Sequence, residues 1–177
     1  MKAEPLAIPG ATLLRAEVHG DQRGSFRRVV DLPALREAGL EADVDQVSVA
    51  TNTVAGTVRG LHYQAEPHAE AKTLWCTTGA IFDVLVDLRQ GPSYGTWLSV
   101  ELSADEPTAL HVPRGVAHGY QTLADDTAVA YLISTPFVAT SARSLRWDDP
   151  TLAIPWPLPV TRISDRDREA PAWPALP

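Results

Sequence analysis

Residues 80–89 alternate. Phe82, Val84, Val86 and Leu88 fall on one face of an extended segment, and Ile81, Asp83, Leu85 and Asp87 on the other. That period of two predicts a strand. The runs TWLSVEL, TALHVP and TAVAYLIS, separated by Gly, Pro or Asp, predict three more. One short helix is predicted over residues 32–40, with Pro33 near its start and Gly39 near its end. Many short strands and few helices predict a sandwich or barrel. From about Pro150 the pattern changes. Seven of the fifteen prolines lie there, which opposes a continuous strand or helix. Trp147, Ile154 and Trp156 are large and apolar, so this segment is read as an ordered tail wrapped over the body.

Composition narrows the class. At 177 residues, with 45% hydrophobic and 21% charged, the chain fits one globular domain able to bury a core. No uncharged run approaches a membrane span, and MKAEPLAIPG lacks the apolar stretch of a signal peptide. A cytoplasmic location is the expectation. The single cysteine, Cys76, excludes an internal disulfide and a cysteine metal cluster, and reads as a buried inert thiol. A net charge of −7 argues against nucleic acid or an anionic membrane as partner. A small anionic ligand would need a local basic patch, for which Arg23, Arg59, Lys72 and Arg166 are candidates.

Residues 58–72, VRGLHYQAEPHAEAK, concentrate the chemistry. One reading is a metal site of the cupin kind, which uses a His-x-His pair, a carboxylate and a later histidine. PRGVAHGY, ending the later element at His118, fits. The first element does not: His62 is followed by Tyr63 and Gln64, and His68 lies six residues on in a loop-like segment. A divalent ion needs three or four converging ligands. The other reading makes His62 a bare base, since a neutral imidazole accepts a proton near neutral pH. Such a base needs a carboxylate to orient it, and Asp83, Asp87 and the cluster SDRDRE are available. Taken alone, His62 is read more readily as a hydrogen-bonded core histidine than as a base. Arg59 and His62 would fall on opposite faces of a regular strand. A bulge at Gly60 would bring them to one side.

The ordered set DQRGSF, TVRGLHYQ, AKTLWCTTGAIFDVLVDLR, HVPRGVAHGY, VAYLI, RWDDPTLAIPWP and ISDRD resembles the dTDP-4-dehydrorhamnose 3,5-epimerase family over nearly the whole chain. The resemblance implies an all-β, cupin-like jelly-roll barrel of mostly antiparallel strands. It implies epimerisation at C3, C5 or both of a nucleoside-diphosphate 4-keto-6-deoxyhexose, without metal or cofactor. Through it, His62 is the base, Asp167 its carboxylate partner, and Tyr131 the acid on the opposite face of the sugar. Lys72 lies near the developing enolate. Arg23, Phe26, Gln46, Ser48, Arg59, His118, Phe137 and Arg166 contact the substrate, and Asp83 is an inward-facing acid beside them. The resemblance also implies a homodimer, with Arg23 and Phe26 near the neighbour's site.

The chain departs from the family's pattern in places. Ser48 stands where relatives carry asparagine, and the spacing from Gln46 to Arg59 is one residue longer than in many members. Arg28 and Ala142 replace two acidic residues. Phe137 replaces a tyrosine that stacks on the base, which preserves stacking because the ring does that work. These changes bear on which nucleotide and sugar are bound. Alternatives to the double epimerase are a single-carbon epimerase, a metal-dependent cupin enzyme, and a sugar-binding barrel without catalysis.

Overall fold

The computed structural model describes residues 1–173. Two antiparallel sheets face each other. The six-stranded sheet runs, in spatial order, β1 (Lys2–Pro5), β2 (Thr12–Arg15), β10 (Thr108–Val112), β7 (Lys72–Thr78), β12 (Thr127–Ile133) and β5 (Gln46–Asn52). The five-stranded sheet runs β13 (Ala142–Ser144), β6 (Val58–Gln64), β11 (Val116–Thr122), β8 (Ala80–Asp87) and β9 (Trp97–Ser103). A separate hairpin joins β3 (Val18–Asp21) to β4 (Gly24–Arg27). This is a jelly-roll barrel, as the sequence predicts. The four runs read as strands are β8, β9, β10 and β12.

The alternation of residues 80–89 separates two cores. Ile81 and Leu85 point between the sheets, where they meet Leu74, Leu110, Val112, Val129 and Tyr120. Phe82, Val84, Val86 and Leu88 point outward, where Leu152, Ile154 and Trp156 of the tail cover them. Each such aliphatic side chain contributes roughly 1.5–3 kcal/mol by leaving water. Truncating Leu85, which is fully buried, would cost about 2–5 kcal/mol. The far face of the six-stranded sheet is covered by α1 (Leu32–Glu37) through Leu32 and Leu35. Asp31 caps that helix by accepting from the Ala34 amide at 3.2 Å. The predicted end at residue 40 is the terminating turn: Gly39 has φ +73, and the Leu40 amide donates to the Leu35 carbonyl.

The proline-rich tail is anchored at several points. Buried Asp149 accepts from the amides of Thr151 and Leu152 with one oxygen and from the Trp173 amide with the other. Trp173 stacks against Tyr94 at 4.8 Å between ring centroids. The prolines do not exclude all helix: α2 (Asp165–Arg168) is a single turn capped by Ser164. It lies against β6, because the Val58 amide donates to the Arg162 carbonyl just before it. This short turn, which the proline content spoke against, delivers Asp167 to the barrel. No helix among the described residues is long and apolar enough to cross a membrane.

Candidate active site

A cavity of about 300 Å³ opens between the sheets, within the size range of small-ligand sites. Of the residues singled out from the sequence, Gln46, Ser48, Arg59, His62, Lys72, His118, Tyr131, Phe137 and Arg166 line it. Asp167 and Asp83 stand directly behind two of these. Arg23 and Phe26 do not reach the cavity. Both sit on the β3–β4 hairpin, where Arg23 is turned onto Asp21 and Phe26 is 65% exposed.

Arg59 and His62 share the cavity because β6 bulges. His62 pairs with His118 and Arg59 with Tyr120, so two residues, Gly60 and Leu61, face the single Gly119. Gly60 has φ +121, and a β-carbon there would lie 2.6 Å from the Gly119 α-carbon. Only glycine meets both demands. Leu61 takes the outward position in the tail-covered core.

His62 Nε2 lies 2.6 Å from Asp167 Oδ1, and the Gly60 amide donates to Asp167 Oδ2 at 3.2 Å. Of the carboxylates available to His62, this is the one the fold delivers. Asp87 is bound by Arg89 at 2.6 Å, and Asp83 by His118 at 2.7 Å. Burial pushes the Asp167 carboxyl up, but the hydrogen bond and charge of His62, with the Gly60 and Ser164 contacts, outweigh it and hold Asp167 below the usual carboxylate range. The contact with Asp167 fixes the orientation of the His62 ring.

Across the cavity, Tyr131 projects from β12 of the other sheet. Burial raises its phenol well above the ordinary value, and the buried Asp83 carboxylate works in the same direction. Tyr131 is therefore protonated at neutral pH and holds a proton to give. Its ring meets His118 edge-on, at 6.1 Å between centroids. Asp83 is fully buried, and burial raises its carboxyl despite the His118 contact. Lys72 pairs with Glu70 at 2.9 Å, both largely enclosed, so its ammonium is held at the wall rather than left mobile.

Several lining residues escaped the sequence reading. Arg143 on β13 adds a cation at the mouth, in a stretch with no motif around it. Glu70, Tyr63 and Tyr120 also line the cavity. Tyr120 was legible in principle, since it lies two positions beyond His118 on one strand and so shares its face. For metal binding, no group of three or more His, Cys, Asp or Glu gathers among the described residues. His68 bonds Ser141 and His111 bonds Thr73, each apart from His62 and His118.

A jelly-roll cavity holds a carboxylate-bound imidazole on one sheet and a buried phenol on the other, an arrangement able to carry acid–base chemistry. Comparison with known proteins shows the family. The family model described as dTDP-4-dehydrorhamnose 3,5-epimerase matches residues 5–174. The chain belongs to this family. It is 41% identical to a dTDP-4-dehydrorhamnose 3,5-epimerase of Sinorhizobium fredii, over 100% of this chain and 92% of that protein. The crystal structure of the Bacillus anthracis dTDP-4-dehydrorhamnose 3,5-epimerase with TDP and PPi bound superposes with a TM-score of 0.93. It is 38% identical and covers 97% of this chain and 98% of that one. A 3'-monoepimerase from Streptomyces bikiniensis in complex with dTDP-quinovose superposes with a TM-score of 0.90, at 35% identity over 96% of this chain and 86% of that one.

Proposed function

We propose that this protein is an epimerase of a dTDP-linked 4-keto-6-deoxyhexose, inverting C3 and C5 through enolate intermediates in deoxysugar biosynthesis. The observation that carries this reading is the placing of His62 and Tyr131 on opposite sheets around one cavity. Protons at C3 and C5 are acidified by the C4 ketone. His62 takes one from the near face of the sugar, with Asp167 stabilising the imidazolium. Charge develops on O4, where Lys72 supplies a cation. Tyr131 returns a proton to the far face, and the centre inverts. Both carbons are served by the same pair once the ring is repositioned.

Arg59 and Arg166 bind the diphosphate, Arg59 by the bidentate grip its guanidinium allows. Phe137, 59% exposed at the mouth, offers its ring to the nucleobase. Gln46, Ser48 and His118 complete the contacts to sugar and phosphate. The chain acts as one jelly-roll domain and works as a cytoplasmic homodimer. Support for the dimer comes from β5, which among the described residues pairs only with β12 and exposes Val47 and Val49 by 69% and 62%. An apolar edge of this kind invites a partner strand. In the dimer, Arg23 and Phe26 reach the neighbour's cavity.

Incubation with a dTDP-4-keto-6-deoxyhexose in D2O, followed by NMR, tests the assignment. Deuterium at both C3 and C5 is expected. Label at one carbon would make the protein a single epimerase, and label at neither would overturn the reading.

A further inference from the structure

Gln64 ends β6, two residues beyond His62, and is 3% exposed at the cavity wall. Its amide meets partners from two connecting segments. The Oε1 accepts from the Val138 amide at 2.7 Å. The Nε2 donates toward Glu70 Oε2 at 2.9 Å, the His68 carbonyl at 3.1 Å and the Pro136 carbonyl at 3.2 Å, two hydrogens shared among three acceptors. These partners fix which end of the amide is which, because a backbone N–H can only donate and a carbonyl can only accept.

Two consequences meet in this one side chain. Pro136 and Val138 flank Phe137, in an irregular segment between β12 and β13. The Gln64 amide therefore bonds the backbone on both sides of Phe137 and sets the direction in which that ring leaves the wall. On the other side, Glu70 offers one oxygen to Gln64 and the other to Lys72, at 2.9 Å each. A carboxylate held at both oxygens has little freedom to swing, and the ammonium resting on it inherits that position. The reaction outlined above gives no part to Gln64 or Glu70.

Building on the proposed function, we infer that Gln64 is a positioning residue for both ends of the substrate: it aims Phe137 at the nucleobase and, through Glu70, Lys72 at O4 of the sugar. Gln64 transfers no proton and acts through the groups it holds. The nucleobase contact exists in the bound ground state, so the Phe137 arm acts on affinity. The O4 contact gains most as charge develops, so the Lys72 arm acts on turnover.

Two double-mutant cycles test this. Gln64→Leu should weaken binding of dTDP, measured by calorimetry, about three- to thirtyfold, within the roughly five- to hundredfold that stacking one base on an aromatic ring is worth. In a Phe137→Ala background it should cost dTDP nothing further. The same substitution should lower kcat about ten- to a hundredfold, and cost nothing further in a Lys72→Ala background. Two readouts need no substrate. Lys2 and Lys72 are the chain's two lysines, so with 15N-labelled lysine the Lys72 ammonium is assigned through Lys2→Arg. With 4-fluorophenylalanine at the three phenylalanines, the Phe137 resonance is assigned through Phe137→Leu. Both signals should move or broaden in Gln64→Leu and in Gln64→Glu. If Gln64→Leu does not fold, an exchange of the two side chains decides. Gln64→Glu alone sets two carboxylates together and should depress kcat. Adding Glu70→Gln restores a donor and an acceptor between the two positions, leaves an oxygen for Lys72, and should recover most of the loss. Unmoved Lys72 and Phe137 signals, the same fractional losses in both backgrounds, or no recovery on exchange would overturn the inference. Failure of the parent protein to bind dTDP or turn over the sugar bears instead on the proposed function, and the two signals still decide the role of Gln64.

Discussion

His62 stands on the five-stranded sheet and Tyr131 on the six-stranded sheet, and both side chains face one cavity. A sugar ring lying between the sheets would present one face to each. Inversion at a carbon needs that geometry, because the proton must leave and return on opposite sides. In the proposed mechanism, the wall carrying the base and the wall carrying the acid are the two layers of the fold.

The first prediction concerns Asp167. Asp167→Asn leaves a side chain of the same shape but removes the charge that favours the protonated ring. It also sets an amide N–H against either the Gly60 amide or His62. Turnover should fall by about 10²–10⁴-fold while the fold persists. Steady-state kinetics with a thermal melt as control measures this, and a loss below tenfold would mean that Asp167 does not orient the base.

A second prediction follows from His111. Burial lowers its imidazole to about 4. The unfolded chain titrates near the ordinary value of 6.5, so it binds the proton first as pH falls. The stability tied to neutral His111 is therefore complete above about pH 6.5 and is lost progressively down to about pH 4, by about 3 kcal/mol in all. His111→Asn removes the titration. Urea denaturation at pH 7 and pH 4.5 should show a smaller acid loss for the variant than for the parent protein.

Asp149 gives a third. Its carboxylate is 1% exposed and accepts from three backbone amides, two in its own turn and one at Trp173. Asp149→Ala strands those donors, at about 1–3 kcal/mol each where water does not reach them. The tail should loosen at both ends. Hydrogen exchange should rise at Thr151, Leu152 and Trp173, with lowered stability. Unchanged protection there would show that the tail is held by its apolar contacts alone.

Assembly provides a fourth. If β5 is the dimer edge, Val49→Glu should place a charge in the interface and shift the protein toward monomer in light scattering at micromolar concentration. The parent protein should run as a dimer, and a monomeric parent would contradict the pairing.

The sequence made the layers legible because period-two alternation survives wherever a sheet has two distinct faces. Residues 80–89 show this: Ile81 and Leu85 point inward and Val84 and Val86 outward, on the two faces that the alternation separates. The bulge at Gly60 was legible as a conflict, since two side chains wanted in one cavity had the wrong spacing. The carboxylate partner of His62 was not legible from local pattern. The pairing to Asp167 spans 105 residues and depends on a helical turn inside a proline-rich segment. Only the ordered motifs of the family pointed to it. Arg143 was silent for a different reason, because an exposed arginine on a three-residue strand leaves no periodic trace. Gln64 makes its contacts to two separate connecting segments, and no sequence spacing encodes such a meeting.

The division of labour between base and acid is the centre of this account, and Tyr131→Phe in D2O addresses it most directly. The variant retains His62 and Asp167, so the enolate should still form and be reprotonated from the face it left. NMR should show deuterium entering the substrate at C3 and C5 with configuration retained, while epimer formation falls sharply. His62→Ala, run beside it, should show neither exchange nor inversion. Epimer formation by Tyr131→Phe at the parent rate would show that another group returns the proton, and the role assigned to Tyr131 would be wrong.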